Sequence, residues 1–317
     1  MNVYHIETRS ANIHPSQLAN EVWDYIFFPE KSYPLSSTDI SHSTLDHLRN
    51  EFQYWYPINL HSSEKDLISN HLIYSLCNHT AIWPNHPEYR PRSFRINGNL
   101  LLNSNKISKS TGNFITLLEA IEKFSADDIR LVLANAGDDS IENANFDENK
   151  AKELLLCLYT FIDWVGDVLL INPVDIKQKF NLLDPLEKSS DVVSSDTKYN
   201  YYDHVFESEI NRAIQLTEES YEKMLYKDVL KYGFFQLQIA RDNYRELCSK
   251  SEQMNLHLIK RFIEIQAILL SPICPHICDY VYQFLHPGTT IMNAKWPTAG
   301  KKIFHRKKKH QFMIFLT

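Results

Sequence analysis

The chain has 317 residues, 44% of them hydrophobic, and a net charge of −6. That excludes a disordered protein and leaves room for about two domains at roughly 150 residues each. It also excludes a polyanion surface spread over the whole molecule, so any such site is local. Five scattered cysteines, Cys77, Cys157, Cys248, Cys274 and Cys278, do not make a disulfide framework and point to a reducing compartment. No apolar run reaches the roughly 18 residues of a membrane span and no signal peptide opens the chain. The expectation is a soluble, cytoplasmic protein with no membrane partner.

Residues 15–28 read as a helix with Leu18, Val22, Trp23 and Ile26 on one face, ended by Pro29 and Pro34. Residues 43–52 predict a second helix with Leu45, Leu48 and Phe52 inward. The aromatic run 53–60 reads as a strand, followed by the turn Ser63-Glu64-Lys65-Asp66 and a helix over 67–80. Strand, acidic turn and helix make half of a βαβ unit, and nucleotides sit at the carboxyl ends of such strands. Asp66 there can bind ribose hydroxyls or simply complement the helix dipole. Residues 94–102 read as a second strand.

The loop Lys106-Ile107-Ser108-Lys109-Ser110, continued by Thr111-Gly112-Asn113-Phe114, follows that strand. Two lysines three apart, hydroxyls and free backbone N–H groups suit an anion. Thr116-x-x-Glu119 and Ser125-x-x-Asp128 read as capping boxes of helices over 117–124 and 127–136. From Asp147 onward the pattern is helical. Leu154, Leu158, Phe161, Val165 and Val168 form one stripe, and residues 172–200 read as a surface loop. Helices are expected near 204–226, 227–250 and 254–270, with a last one carrying Ile277, Tyr280, Val281, Phe284 and Leu285. Cys274, His276 and Cys278 lack the second ligand pair of a zinc site, so core packing is expected and no metal is assigned. Residues 301–317 are a basic tail. The fold class expected is α/β followed by all-α, divided as 1–146, a helical domain over 147–300, and the tail 301–317.

Lys106-Ile107-Ser108-Lys109-Ser110 resembles the KMSKS signature of class I aminoacyl-tRNA synthetases. Its surroundings are similar to the cytosolic, eukaryotic and archaeal-type leucyl-tRNA synthetases. They include Asn97-Gly98-Asn99-Leu100-Leu101-Leu102-Asn103, Thr111-Gly112-Asn113-Phe114, Glu21-Val22-Trp23-Asp24-Tyr25, Tyr54-Trp55-Tyr56-Pro57, Asn78-His79-Thr80-Ala81-Ile82-Trp83-Pro84, Lys123-Phe124-Ser125-Ala126-Asp127 and Asn143-Ala144-Asn145-Phe146. The blocks are collinear over roughly 11–300. The resemblance implies the C-terminal half of a Rossmann-like catalytic domain, then an anticodon-binding-type bundle. It implies ATP, with Mg²⁺ accompanying it, leucine and tRNA-Leu as ligands. Lys109 and Lys106 would be catalytic. Lys106, Ser108, Lys109, Ser110, Asp66 and Gly98 would bind ATP, and His71 would line the leucine pocket. Arg241, Arg245 and Lys250 are candidate tRNA contacts, each also readable as a solvated surface charge.

The sequence departs from the family at several points. It has no His-x-Gly-His motif and nothing resembling the editing insertion or the C-terminal extension, so the resemblance implies a chain starting midway through the catalytic domain. Glu64 stands where the family has glycine, and Asn99 where it usually has histidine. Two readings stay open. The chain is the C-terminal part of a leucine–tRNA ligase, inactive alone, from a truncated gene model or from a split enzyme whose separate N-terminal half supplies the missing motif, with other synthetases as further candidate partners. Alternatively it is a non-catalytic remnant that binds tRNA or a partner.

Overall fold

The computed structural model describes residues 13–36, 38–108, 110, 112–137, 142–169, 193–194, 199–249 and 254–300. Two compact units divide the chain, Met1–Asn97 and Gly98–Thr317.

In the first unit, a 3-10 turn at Pro15–Gln17 precedes α1 (Asn20–Phe27), and α2 spans His42–Trp55. The single helix expected over 15–28 is therefore split, because Leu18 and Ala19 leave helical geometry between the two pieces. Val22, Tyr25 and Ile26 of α1 meet Leu45 and Leu48 of α2 in a small core. Arg49 caps the end of α1 through the carbonyls of Phe28, Pro29 and Lys31.

The strand expected over 53–60 is not there. Residues 53–55 continue α2, whose inward stripe runs on to Phe52. Tyr56 is extended, as a residue before proline prefers, and ends the helix. Phe52, Tyr56, Trp83 and Tyr89 pack as an aromatic cluster, so the aromatic richness served ring contacts rather than a pleat. The strand, β1, is His61–Glu64, pairing in parallel with β2 (Phe94–Asn97) from His61↔Phe94 to Glu64↔Asn97. Between them a 3-10 turn (Lys65–Leu67), a π turn (Ile68–Leu72) and α3 (Ile73–Ile82) form one helical stretch.

The second unit begins where the expected strand over 94–102 breaks. A Cβ on the buried Gly98 would stand 1.9 Å from the carbonyl oxygen of Glu142, so only glycine lets the two backbones pass. β3 (Leu100–Leu102) pairs antiparallel with β4 (Asn105–Lys106) and parallel with β5 (Ala144–Phe146). Between β4 and β5 lie α4 (Leu117–Phe124) and α5 (Ala126–Ala136). Thr116 and Glu119 form the expected reciprocal cap. Ser125 Oγ accepts from the Asp128 N–H at 3.3 Å, but no bond returns from the Asp128 carboxylate, so that box is half closed.

The bundle follows. α6 (Glu148–Val168) is capped by Asp147, whose Oδ1 accepts from the N–H groups of Asn149 and Lys150. The loop expected over 172–200 lies largely outside the described residues. Within it, β6 (Val193–Ser194) pairs in parallel with β7 (Met254–Asn255). α7 (Tyr201–Glu222), α8 (Tyr226–Leu230), a π turn (Lys231–Phe235), α9 (Gln236–Ser249), α10 (Leu256–Leu270) and α11 (Pro275–Leu285) complete it. Phe161, Phe206, Phe234 and Phe262 are fully buried, each such side chain stabilising by about 1.5–3 kcal/mol. One buried polar network crosses this core. The Tyr244 hydroxyl donates to Asp203 on α7 and accepts from the Asn255 N–H at 2.8 Å. Asn255 Oδ1 in turn caps α10 by accepting from the Leu258 N–H. Among the described residues no helix is long and apolar enough to cross a membrane.

Candidate functional site

The lysine loop is a short clasp. Lys106 is exposed on β4, paired with Leu101. The Ser108 N–H donates to the Asn113 carbonyl at 3.0 Å, and Asn113 Nδ2 donates back to the Lys106 carbonyl at 3.1 Å. Ser108 Oγ and Ser110 Oγ lie 2.9 Å apart. Gly112 turns the chain with φ +73°, in open space, a conformation glycine takes without steric cost. Lys109 and Thr111 lie outside the described residues. Lys106, Ser108 and Ser110 thus share one hairpin, with a cation and two hydroxyls on an exposed turn. Such a set can hold a phosphate through charge-assisted bonds.

Asparagines at the base of this hairpin hold it in place. Asn103 and Ser104 both have positive φ, +49° and +66°. The Asn103 N–H donates to the Phe146 carbonyl at 2.9 Å. The Ser104 N–H donates to Asn145 Oδ1 at 2.7 Å. The Asn99 N–H donates to Asn143 Oδ1 at 3.0 Å. Sequence reasoning assigned these asparagines no role. The available signal was their density over 97–113 and 143–145, since asparagine tolerates left-handed backbone and bonds nearby main chain.

In the first unit Asp66 is exposed in the first turn after β1, and Glu64 is the exposed last residue of that strand. His71 is exposed in the π turn, its ring edge-on to His61 with centroids 5.2 Å apart. The acidic turn therefore does follow the carboxyl end of a parallel strand, although that strand lies later in the chain than its aromatic prelude suggested. His61 was not foreseen as a neighbour of His71, because the pair joins a strand to a helical turn ten residues on.

Of the candidate tRNA contacts, Arg241 is not a solvated charge. Its side chain is buried, lies 4.5 Å over the Trp164 ring and forks to Asp242 at 2.7 and 3.0 Å. A guanidinium stacks and pairs in this way without large desolvation loss. Arg245 stands 3.7 Å from the same carboxylate, and Lys250 lies outside the described residues. Cys274 and Cys278 are fully buried and their thiols are pushed well up by burial. His276 pairs with Asp127 at 2.9 Å. Asp127 also accepts from the Ile277 N–H at 2.7 Å, capping α11. Arg130 on the same helix donates to the carbonyls of Pro272 and Ile273 at 2.8 and 2.7 Å. α5 thereby grips the corner between α10 and α11. Beside it, Asp128 is wholly buried with neither carboxylate oxygen bonded, and desolvation pushes its pKa up to about 7.

Residues 35–155 match the family model of class I tRNA synthetases of the methionine group, and residues 203–315 match that of the anticodon-binding domain of tRNA ligases. The second match runs into the basic stretch that begins after Gly300. The cytoplasmic leucine–tRNA ligase of Pongo abelii is 46% identical over 91% of this chain and 22% of its own length. That of Dictyostelium discoideum is 41% identical over 96% and 26%. This chain thus spans about a quarter of the length of these relatives. In fold it is similar to a leucyl-tRNA synthetase of Agrobacterium radiobacter K84, solved in a ternary complex with tRNA and LeuAMS. The TM-score is 0.59 at 17% identity, over 88% of this chain and 32% of that one. The α/β part, the helical part and their order agree with the expectation from sequence. Matched in both its segments and by full-length relatives across nearly all its residues, the chain is similar to a stretch of the class I leucyl-tRNA synthetases in which a class I synthetase segment is followed by an anticodon-binding-domain segment.

Proposed function

We propose that this chain takes part in leucine–tRNA ligation in the cytoplasm, as the part that supplies the lysine loop and the helical domain to a larger enzyme. The observation carrying this reading is the Lys106–Ser110 hairpin, held between β3 and α4 in a chain similar to this family. In the first step the leucine carboxylate attacks the α-phosphate of ATP in line and pyrophosphate leaves. Negative charge grows on the phosphate oxygens, and fixed cations lower that barrier. Lys109 and Lys106 carry this role. Ser108 and Ser110 hold phosphate oxygens, Asp66 takes the ribose hydroxyls, and Gly98 lets backbone come close. His71 lines the leucine side-chain site. Mg²⁺ arrives with ATP. The second step passes the leucyl group to the terminal adenosine of tRNA-Leu, which the helical domain helps to hold by phosphate and sugar contacts.

This reading requires the N-terminal part of the catalytic domain, whether from a longer chain or from a separate half. Its support is the apolar surface of the first unit. Ile68, Ile73, Tyr74, Leu76 and Ile82 are exposed along one helical stretch beside a two-stranded parallel pair, and parallel strands are ordinarily covered on both faces. The second reading, a non-catalytic tRNA-binding remnant, is favoured by Glu64. That carboxylate ends β1 where backbone would approach a nucleotide.

Leucine-dependent ATP–pyrophosphate exchange tests both. The chain alone should give none, and the chain plus an N-terminal half bearing the missing motif should give robust exchange. Exchange by the chain alone overturns the need for a partner, and failure with the partner present favours the remnant. In the reconstituted enzyme Lys109→Ala should cost about 2–4 kcal/mol of transition-state stabilisation, on the scale of one lost oxyanion donor. An unchanged rate removes Lys109 from the mechanism.

A further inference from the structure

The entry to the lysine loop and the last turn of the helix that follows it converge on Glu148, the first residue of α6. At the entry, Asp147 satisfies the Asn149 and Lys150 N–H groups but not that of Glu148, whose N–H donates instead to Asn103 Oδ1 at 3.1 Å. Beyond the loop, Lys123 in the last turn of α4 pairs with the Glu148 carboxylate at 2.8 Å. Asn103 and Ser104 are consecutive left-handed residues, a conformation costing about 1–2 kcal/mol each for residues with a Cβ. Such a backbone persists only where its surroundings over-determine it, and here they do. Phe146 and Asn145 hold the two main-chain N–H groups while Asn103 holds the helix. α6 is in turn locked into the bundle by Leu154, Leu158, Phe161 and Val165, all buried.

We propose that Asn103 and Glu148 form a mechanical joint through which the first bundle helix sets the position of the lysine loop. Asn103 and Glu148 are positioning residues, and their effect on phosphate chemistry rests on the function proposed for the loop. A shift or rotation of α6 pulls on the loop's entry through its first N–H, and on the helix that leaves the loop through its first side chain. Ligands engaging the bundle thereby bias the loop's geometry without touching it.

The test is hydrogen–deuterium exchange on the full chain, which needs neither ATP nor leucine and so stands apart from any failure of the proposed activity. Asn103→Gly keeps the left-handed backbone accessible and removes the acceptor. It should speed exchange at least tenfold both at residues 105–108 and at 148–150. Asn103→Asp restores the acceptor and should exchange like the parent chain. Glu148→Ala keeps the backbone bond, and should speed exchange in the last turn of α4, at 121–125, while leaving 105–108 unchanged. Faster exchange at 148–150 alone under Asn103→Gly would reduce Asn103 to a helix cap and overturn the joint. So would an Asn103→Asp chain that behaves like the glycine variant.

Discussion

α3 in the first unit and α10 in the second are both rich in apolar residues, yet they meet opposite fates. α10 buries ten of its residues, among them Ile259, Phe262, Ile263 and Leu269. α3 buries none, and Ile73, Tyr74, Leu76 and Ile82 face outward. The difference is one of neighbours. α10 lies against α7, α11 and the π turn before α9, whose side chains fill the same core. The small core of the first unit is formed by α1 and α2 and stops short of α3. Apolar composition thus announces that a face needs covering, while the presence of a cover is a property of the assembled molecule.

Four substitutions sharpen or break this contrast. Phe262→Ala removes a ring packed on Trp164 and Phe206 and should cost about 3–5 kcal/mol in chemical denaturation followed by circular dichroism. A loss below about 1 kcal/mol would mean the bundle core is loose and the contrast false. Asp128 probes the same core electrostatically. Desolvation pushes its folded pKa up to about 7, above the 3.8 of a solvated aspartate. Its stabilising contribution is therefore full below about pH 4 and is lost as pH rises to about 7, because ionisation leaves a buried charge without a partner. The three-unit difference corresponds to up to about 4 kcal/mol. Asp128→Asn should gain on the parent chain between pH 5 and pH 8, measured as the difference in unfolding free energy. A pH-independent difference would show the carboxyl to be solvated. Thr116→Ala opens the cap of α4 and should cost about 1 kcal/mol, with earlier fraying at 117–119. At the small end, Ile73→Ser should change stability by less than about 0.5 kcal/mol, since the residue packs on little. It should nonetheless weaken complementation by an N-terminal half in the exchange assay. A large stability loss would show that α3 is already covered.

The sequence made the second unit more legible than the first. The stripe Leu154, Leu158, Phe161, Val165 is buried as its spacing required, and Asp147 and Thr116 cap the helices they precede. These are signals read within one turn of helix. In the first unit the aromatic run 53–60 reads as a strand, yet its first three residues continue α2, because β propensity reports a fit to packed surfaces and not a backbone preference. Trp83, Tyr89 and the helix end supplied that surface in another form. At the lysine loop the sequence identified the cation–hydroxyl set, and missed the asparagine base that holds it. Its partners lie some forty residues away, at Asn143, Asn145 and Glu148.

By itself the sequence determined the family resemblance, the order of an α/β segment and a helical one, the local caps, and the composition of the lysine loop. Each follows from residue types at short, fixed separations. Tertiary structure alone decided that the strand breaks at Gly98, where the Glu142 carbonyl leaves no room for a Cβ. It decided that Arg241 is buried on Trp164 instead of facing solvent. It also decided that Asp128 is left without a hydrogen-bond partner, and that the loop's entry and the end of α4 are both bound to the first residue of α6. These outcomes depend on which distant backbone or ring arrives at a given point, and no local pattern encodes that.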